Sequence, residues 1–144
     1  MKALVYTGPE ALVVQDMPDP VVSGDECLIE IRHVGICGSD MHAWAGHDDR
    51  RPAPLILGHE AAGLVIEGPM QGQHVTINPL VSCGNCEACQ SGRENLCAQR
   101  EIISMPPRQG AFAEFVTMPA GNLVAIPDGF PTWKAALAEP IACG

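Results

Sequence analysis

Four cysteines fall within fifteen residues: Cys83, Cys86, Cys89 and, after seven more positions, Cys97. Tetrahedral zinc takes four soft ligands converging on one point, and a loop with a cysteine at every third position can wrap thiolates around it. Disulfides explain the spacing less well, because bridges between such near neighbours close tiny, strained loops that remove little chain entropy. An iron–sulfur cluster also accepts four thiolates, and a set of redox-active thiols is a third reading. The spacing favours a structural zinc site.

A second set could hold a metal differently. Cys37 stands in Gly35-Ile36-Cys37-Gly38-Ser39-Asp40-Met41-His42, and His59 with Glu60 stands in Gly58-His59-Glu60-Ala61-Ala62-Gly63. Glycines flank both, so backbone can bend closely around an ion. One thiolate and one imidazole leave zinc with an open position for water or substrate, which separates a catalytic from a structural site. Taken singly these residues are ordinary: a lone cysteine beside a strand is usually core filler, and a lone histidine is usually a hydrogen-bonded structural residue.

The elements that must position them are short. Fifteen glycines and thirteen prolines punctuate the chain of 144 residues and favour strands and turns over long helices. Strands are expected at Lys2–Tyr6, Leu12–Gln15, Cys27–Val34, Ala61–Glu67, Gln73–Asn78, Ala111–Met118 and Leu123–Ile126. Ile29 and Ile31 alternate with Glu30 and Arg32, the period of a half-buried strand. Ser39 can cap a short helix through Ala45, and Thr132–Ala138 reads as another helix. The expectation is one mostly β (α+β) domain over 1–144, with short helices and a protruding cysteine lobe at about 82–100. The net charge of −9, with no basic stripe, argues against a nucleic-acid partner. No apolar run approaches a membrane span or a signal peptide, and reduced cysteines at metal spacing suit the cytoplasm.

In order and separation, the Cys37, His59 and four-cysteine segments resemble the zinc-dependent medium-chain dehydrogenases, the alcohol, sorbitol and related polyol enzymes. Glu139-Pro140 resembles the polyol branch. The resemblance spans essentially the whole chain and implies a GroES-like distorted, partly open β-barrel, the N-terminal catalytic domain of such an enzyme. It implies two zinc ions, one structural at Cys83, Cys86, Cys89 and Cys97 and one catalytic at Cys37, His59 and Glu139. Glu60 lies close to the latter, either as an exchanging ligand or as a hydrogen-bonding neighbour. Asp40 would accept the other ring N–H of His59, or serve as a first-turn acid favoured by the helix dipole.

The implied chemistry is oxidation of a small alcohol or polyol, with zinc stabilising the alkoxide and NAD or NADP accepting hydride. Ser39 and His42 would carry the substrate proton outward, or act only as a helix cap and a surface residue. Trp44 and Phe112 are candidates to wall the substrate pocket; His33, His47 and His74 read as structural or exposed, and Cys27 and Cys143 as buried thiols. No Gly-x-Gly-x-x-Gly follows a strand, so the cofactor domain is expected beyond this chain, which alone would be inactive; the full-length enzyme is expected to be a homo-oligomer. Gly72-Gln73-His74 departs from the family, which usually has an acid after the glycine. A metal-stabilised GroES-like binding or scaffold module without turnover is the alternative function.

Overall fold

The computed structural model describes every residue from Met1 to Gly144. A hairpin of β1 (Lys2–Gly8) and β2 (Ala11–Asp16) is followed by the ten-residue β3 (Glu26–Gly35) and by α1 (Gly38–Trp44). Next come β4 (Leu55–Ile56), β5 (Glu60–Glu67) and β6 (His74–Ile77). Strands β7 (Leu80–Val81) and β8 (Glu101–Ile102) pair at the base of the cysteine lobe, which holds α2 (Glu87–Gln90) and a 3₁₀ turn at Glu94–Leu96. β9 (Phe115–Pro119), β10 (Leu123–Ala125), α3 (Thr132–Ala135) and α4 (Ala138–Cys143) complete the chain.

All strand pairs are antiparallel. A five-stranded sheet runs β10-β6-β5-β3-β9, and a three-stranded sheet runs β2-β1-β4. The largest core cluster lies on one face of the larger sheet, where Cys27, Ile29, Val65, Val75, Ile77, Ile103 and Met118 are almost wholly buried. Each such side chain contributes roughly 1.5–3 kcal/mol by leaving water. On β5 both faces are covered, because Ala135 and Ala136 pack over Ala62. No helix is long and apolar enough to cross a membrane.

The segment expected as one strand over Ala111–Met118 divides. Gly110, Ala111 and Phe112 donate their N–H groups to the carbonyls of Ile56, Gly58 and Leu57, Leu4 donates to Phe112, and only Phe115–Pro119 pairs with β3. The chain crosses here from the small sheet to the large one, which closes the distorted, partly open barrel. The expected helix over Thr132–Ala138 also divides, because Pro140 has no N–H to continue it; proline is tolerated where it stands, in the first turn of the new helix α4.

Gly63 sits opposite Ile31 on β5, and a methyl there would collide with the Glu30 carbonyl and lie 2.8 Å from Ile29 Cγ2. Gly63→Ala is expected to cost about 1–3 kcal/mol or more, read as a lowered midpoint in denaturant unfolding; an unshifted midpoint contradicts this packing.

Candidate metal centres and the cavity between sheet and helix

The register of β3 and β5 brings the distant turns together. Gly35 at the end of β3 pairs with Glu60 at the start of β5. Cys37, two residues beyond one strand, therefore meets His59, one residue before the other. One donor atom from each of Cys37, His59 and Glu60 lies within 4.8 Å of the others. Gly35 is needed because a Cβ would overlap the Glu60 carboxylate. Gly58 is needed because its φ is 91° and any Cβ would stand 2.6 Å from the Phe112 ring.

Asp40 fastens this arrangement. It is 2% exposed; its Oδ2 accepts the Cys37 N–H at 3.0 Å and its Oδ1 accepts the Gly58 N–H at 3.1 Å. The same Oδ1 stands 3.5 Å from Nδ1 of His59, a buried nitrogen with no other partner. Burial pushes the Asp40 carboxyl up, but His59 and the two N–H donors outweigh it and hold it below its ordinary value. For His59, burial pulls downward while Asp40 and Cys37 raise its pKa to about 9. The Ser39 side chain, followed by its backbone, lowers the Cys37 thiol. A cation would displace protons from a histidine and a thiol already biased toward an ionic contact, so occupancy must fall as pH falls.

Ser39 does not cap α1. Cys37 is the N-cap, in extended conformation at φ −81° and ψ 154°, and Ser39 lies inside the first turn. His42 is exposed, its ring centroid 6.3 Å from that of His47, and it is not among the residues of the Cys37 cluster. Glu139 stands outside the tight cluster but shares a cavity of about 590 Å³ with His59, Pro79, Ile102 and Cys143. Cys143, expected to be buried, is exposed on the last turn of α4 and donates to Glu139 Oε1 at 3.2 Å. Trp44 and Phe112 line a separate apolar cavity of about 460 Å³ whose one polar wall residue is Asp40. His33 binds Thr132 Oγ1 through Nδ1 at 2.8 Å, a link between β3 and α3. Reading the sequence missed Arg50 and Arg51, which also line the His59 cavity; the signal was the charged run Asp48-Asp49-Arg50-Arg51 ahead of Pro52.

In the lobe, Cys83, Cys86, Cys89 and Cys97 also bring one sulfur each within 4.8 Å of the others. All are free thiols; Cys89 Sγ is 3.9 Å from Cys83 and 3.5 Å from Cys86. Sulfurs about 2.3 Å from one tetrahedral ion stand roughly 3.8 Å apart, so the four fit a single zinc ion. Disulfides are excluded by these separations, and a cluster with one cysteine per iron would spread the sulfurs further. The N–H groups of Asn85 and then Cys86 hold the Cys83 thiol down at about 6, poised as a thiolate.

Residues 23–128 match the alcohol dehydrogenase GroES-like domain family. The chain is 37% identical over 153 residues to a sorbitol dehydrogenase of Bacillus subtilis (strain 168), covering 100% of this chain and 43% of that protein. It is 36% identical to an uncharacterized zinc-type alcohol dehydrogenase-like protein of Haemophilus influenzae, covering 98% of this chain and 43% of the relative. Among solved structures, an Escherichia coli CFT073 alcohol dehydrogenase (rspB) complexed with NADH superposes with a TM-score of 0.88 at 31% identity, covering 97% of this chain and 42% of that one. The chain thus spans less than half the length of these relatives.

Removing one lobe thiol tests the four-sulfur fit. Cys89→Ser is expected to destabilise the zinc-loaded protein by well over about 2 kcal/mol in thermal or denaturant unfolding, because structural zinc contributes roughly 10 kcal/mol or more to folding. Stability equal to that of the parent contradicts a metal-bearing lobe.

Proposed function

Because the chain belongs to the alcohol dehydrogenase GroES-like domain family, we propose that residues 1–144 are the catalytic domain of a zinc-dependent, NAD(P)-linked alcohol or polyol dehydrogenase. Its reaction is oxidation of a secondary alcohol or sugar alcohol to a ketone. The observation that carries this reading is the convergence of Cys37, His59 and Glu60 beside a cavity that Glu139 shares. The sulfur-lined lobe supports it as the site of the structural ion, and the likeness to sorbitol dehydrogenase supports a polyol substrate.

The donor set fits zinc: a thiolate, an imidazole and a carboxylate, with fewer protein ligands than a closed structural site. When bound, zinc supplies Lewis acidity that lowers the pKa of an alcohol by several units, and the nicotinamide supplies a hydride acceptor. Cys37 enters as a thiolate, favoured by Ser39. His59 must be neutral to ligate; with Asp40 against Nδ1, the proton resides there and Nε2 is left for the metal. Glu60 is held over Gly35 by the strand register, and Glu139, outside the tight cluster but on the wall of the same cavity as His59, is the proposed further donor.

Proton removal falls to residues of α1. The Ser39 hydroxyl, beside Cys37, takes the proton of the substrate hydroxyl as it gives up its own, and the exposed His42 passes the released proton to water. A histidine suits that outer position because its ordinary pKa lies near working pH. The cavity volume of about 590 Å³ lies within the usual range for small-molecule sites.

Metal analysis of the purified protein is expected to give two zinc equivalents per chain, and Cys37→Ala is expected to retain one while keeping the fold. Two equivalents in Cys37→Ala contradict the ligand assignment. One equivalent in the parent, confined to the lobe, favours a metal-stabilised scaffold without turnover.

A further inference from the structure

Helix α4 carries two metal-binding side chains that stand outside the tight Cys37 cluster. Glu139 and Cys143 both line the cavity beside His59, and Cys143 Sγ donates to Glu139 Oε1 at 3.2 Å. Residues four apart share one face of a helix, the arrangement in which a helix offers two ligands to one zinc ion. A sulfur and a carboxylate oxygen bound to one tetrahedral zinc stand roughly 3.6 Å apart. The pair is already near that separation. Loss of the thiol proton would set a thiolate against a carboxylate, a contact that a shared cation makes favourable.

The other polar groups of the cavity leave this pair free. Arg50 forks onto Asp48 through Nε and Nη2, at 2.8 and 3.0 Å. Arg51 donates to Asp48 and, at 3.0 Å, to the carbonyl of Ser104, a residue held at a left-handed φ of 66°. Neither arginine bonds to Glu139, whose carboxylate accepts only from Cys143. His59, on the wall of the same cavity, is 7% exposed, and with Nδ1 against Asp40 its Nε2 is left for a ligand. The hydrogen bond and charge of Glu139, then burial, then the charges of Cys37 and Glu60 push the Cys143 thiol up, so the inner cluster lies within electrostatic reach of α4. Four acidic donors thus share one imidazole, and a divalent ion answers them all.

We propose that Cys143 is a metal ligand, paired with Glu139 on α4 and supplying the ion held by Cys37 and His59 with a second sulfur. Cys143 is exposed on the last turn of its helix, so its side chain is free to turn from Glu139 toward the ion. Two thiolates and an imidazole make a softer donor set than one thiolate with two carboxylates, and they select zinc over hard cations such as magnesium. The proposal rests on the dehydrogenase reading for the presence of the ion, and it adds a donor that the convergence of Cys37, His59 and Glu60 does not contain.

The test places cobalt(II) in this cavity of the full-length protein while the lobe keeps its zinc, with metal analysis to verify both. Cobalt bound to sulfur absorbs in the near ultraviolet in proportion to the number of thiolates. Cys143→Ala takes that number from two to one and is expected to cut the absorbance per cobalt to about half. Zinc affinity at the same site, measured by competition with a chelator, is expected to weaken by at least about tenfold. Because Cys143 is exposed, the variant is expected to fold, and retention of the lobe zinc reports that it does. Absorbance per cobalt or zinc affinity equal to that of the parent overturns the proposal and, with two metal equivalents bound, leaves the dehydrogenase reading standing. A parent that binds one equivalent, in the lobe alone, overturns both.

Discussion

Asp40 ties two turns that are far apart in sequence, one oxygen accepting the N–H of Cys37 and the other that of Gly58, while the ring of His59 lies against the same carboxylate. A buried, ionised carboxylate is costly unless its oxygens are answered. Here its partners belong to candidate ligands or to the residue beside one, so satisfying Asp40 and converging the ligands are the same event. That is why a side chain that need not touch a metal governs the geometry of those that would.

The strands make this fastening possible. Antiparallel pairing of β3 with β5 sets Gly35 opposite Glu60, and a shift of one residue would send every side chain of β5 to the wrong face. The packed core fixes the register, since Ile29 and Val65 are nearly inaccessible in it. The cysteine lobe obeys a different rule. Its short helix and 3₁₀ turn bury little apolar surface, with Leu96 left 58% exposed, so its order must come from its thiols. The two centres are thus independent: one is shaped by the sheet, the other shapes its own loop.

Much of this is legible in the sequence because it is local. Cysteine spacing, the alternation along Cys27–Val34 and glycines beside Cys37 and His59 each express a physical need within a few residues. What escapes depends on partners distant along the chain. The crossing of Gly110–Glu114 between sheets is invisible to periodicity, since it is set by backbone bonds to Ile56, Leu57 and Gly58, far back in the chain. Asp40 is readable as a neighbour of His59, but its two backbone contacts require the β3–β5 register. Cys143 reads as a buried thiol, yet Pro140 lies in the first turn of a new helix rather than ending one, and Cys143 on that helix's last turn is exposed. Arg51 needs a left-handed Ser104 from beyond the lobe.

The fastening role of Asp40 is tested most directly by the zinc affinity of Asp40→Asn at the Cys37 site, measured by competition with a chelator while lobe zinc is retained. An asparagine keeps one acceptor oxygen but sets an NH₂ against a backbone N–H. Affinity is predicted to weaken by about 10–100-fold with the lobe ion undisturbed; affinity equal to that of the parent would contradict the role.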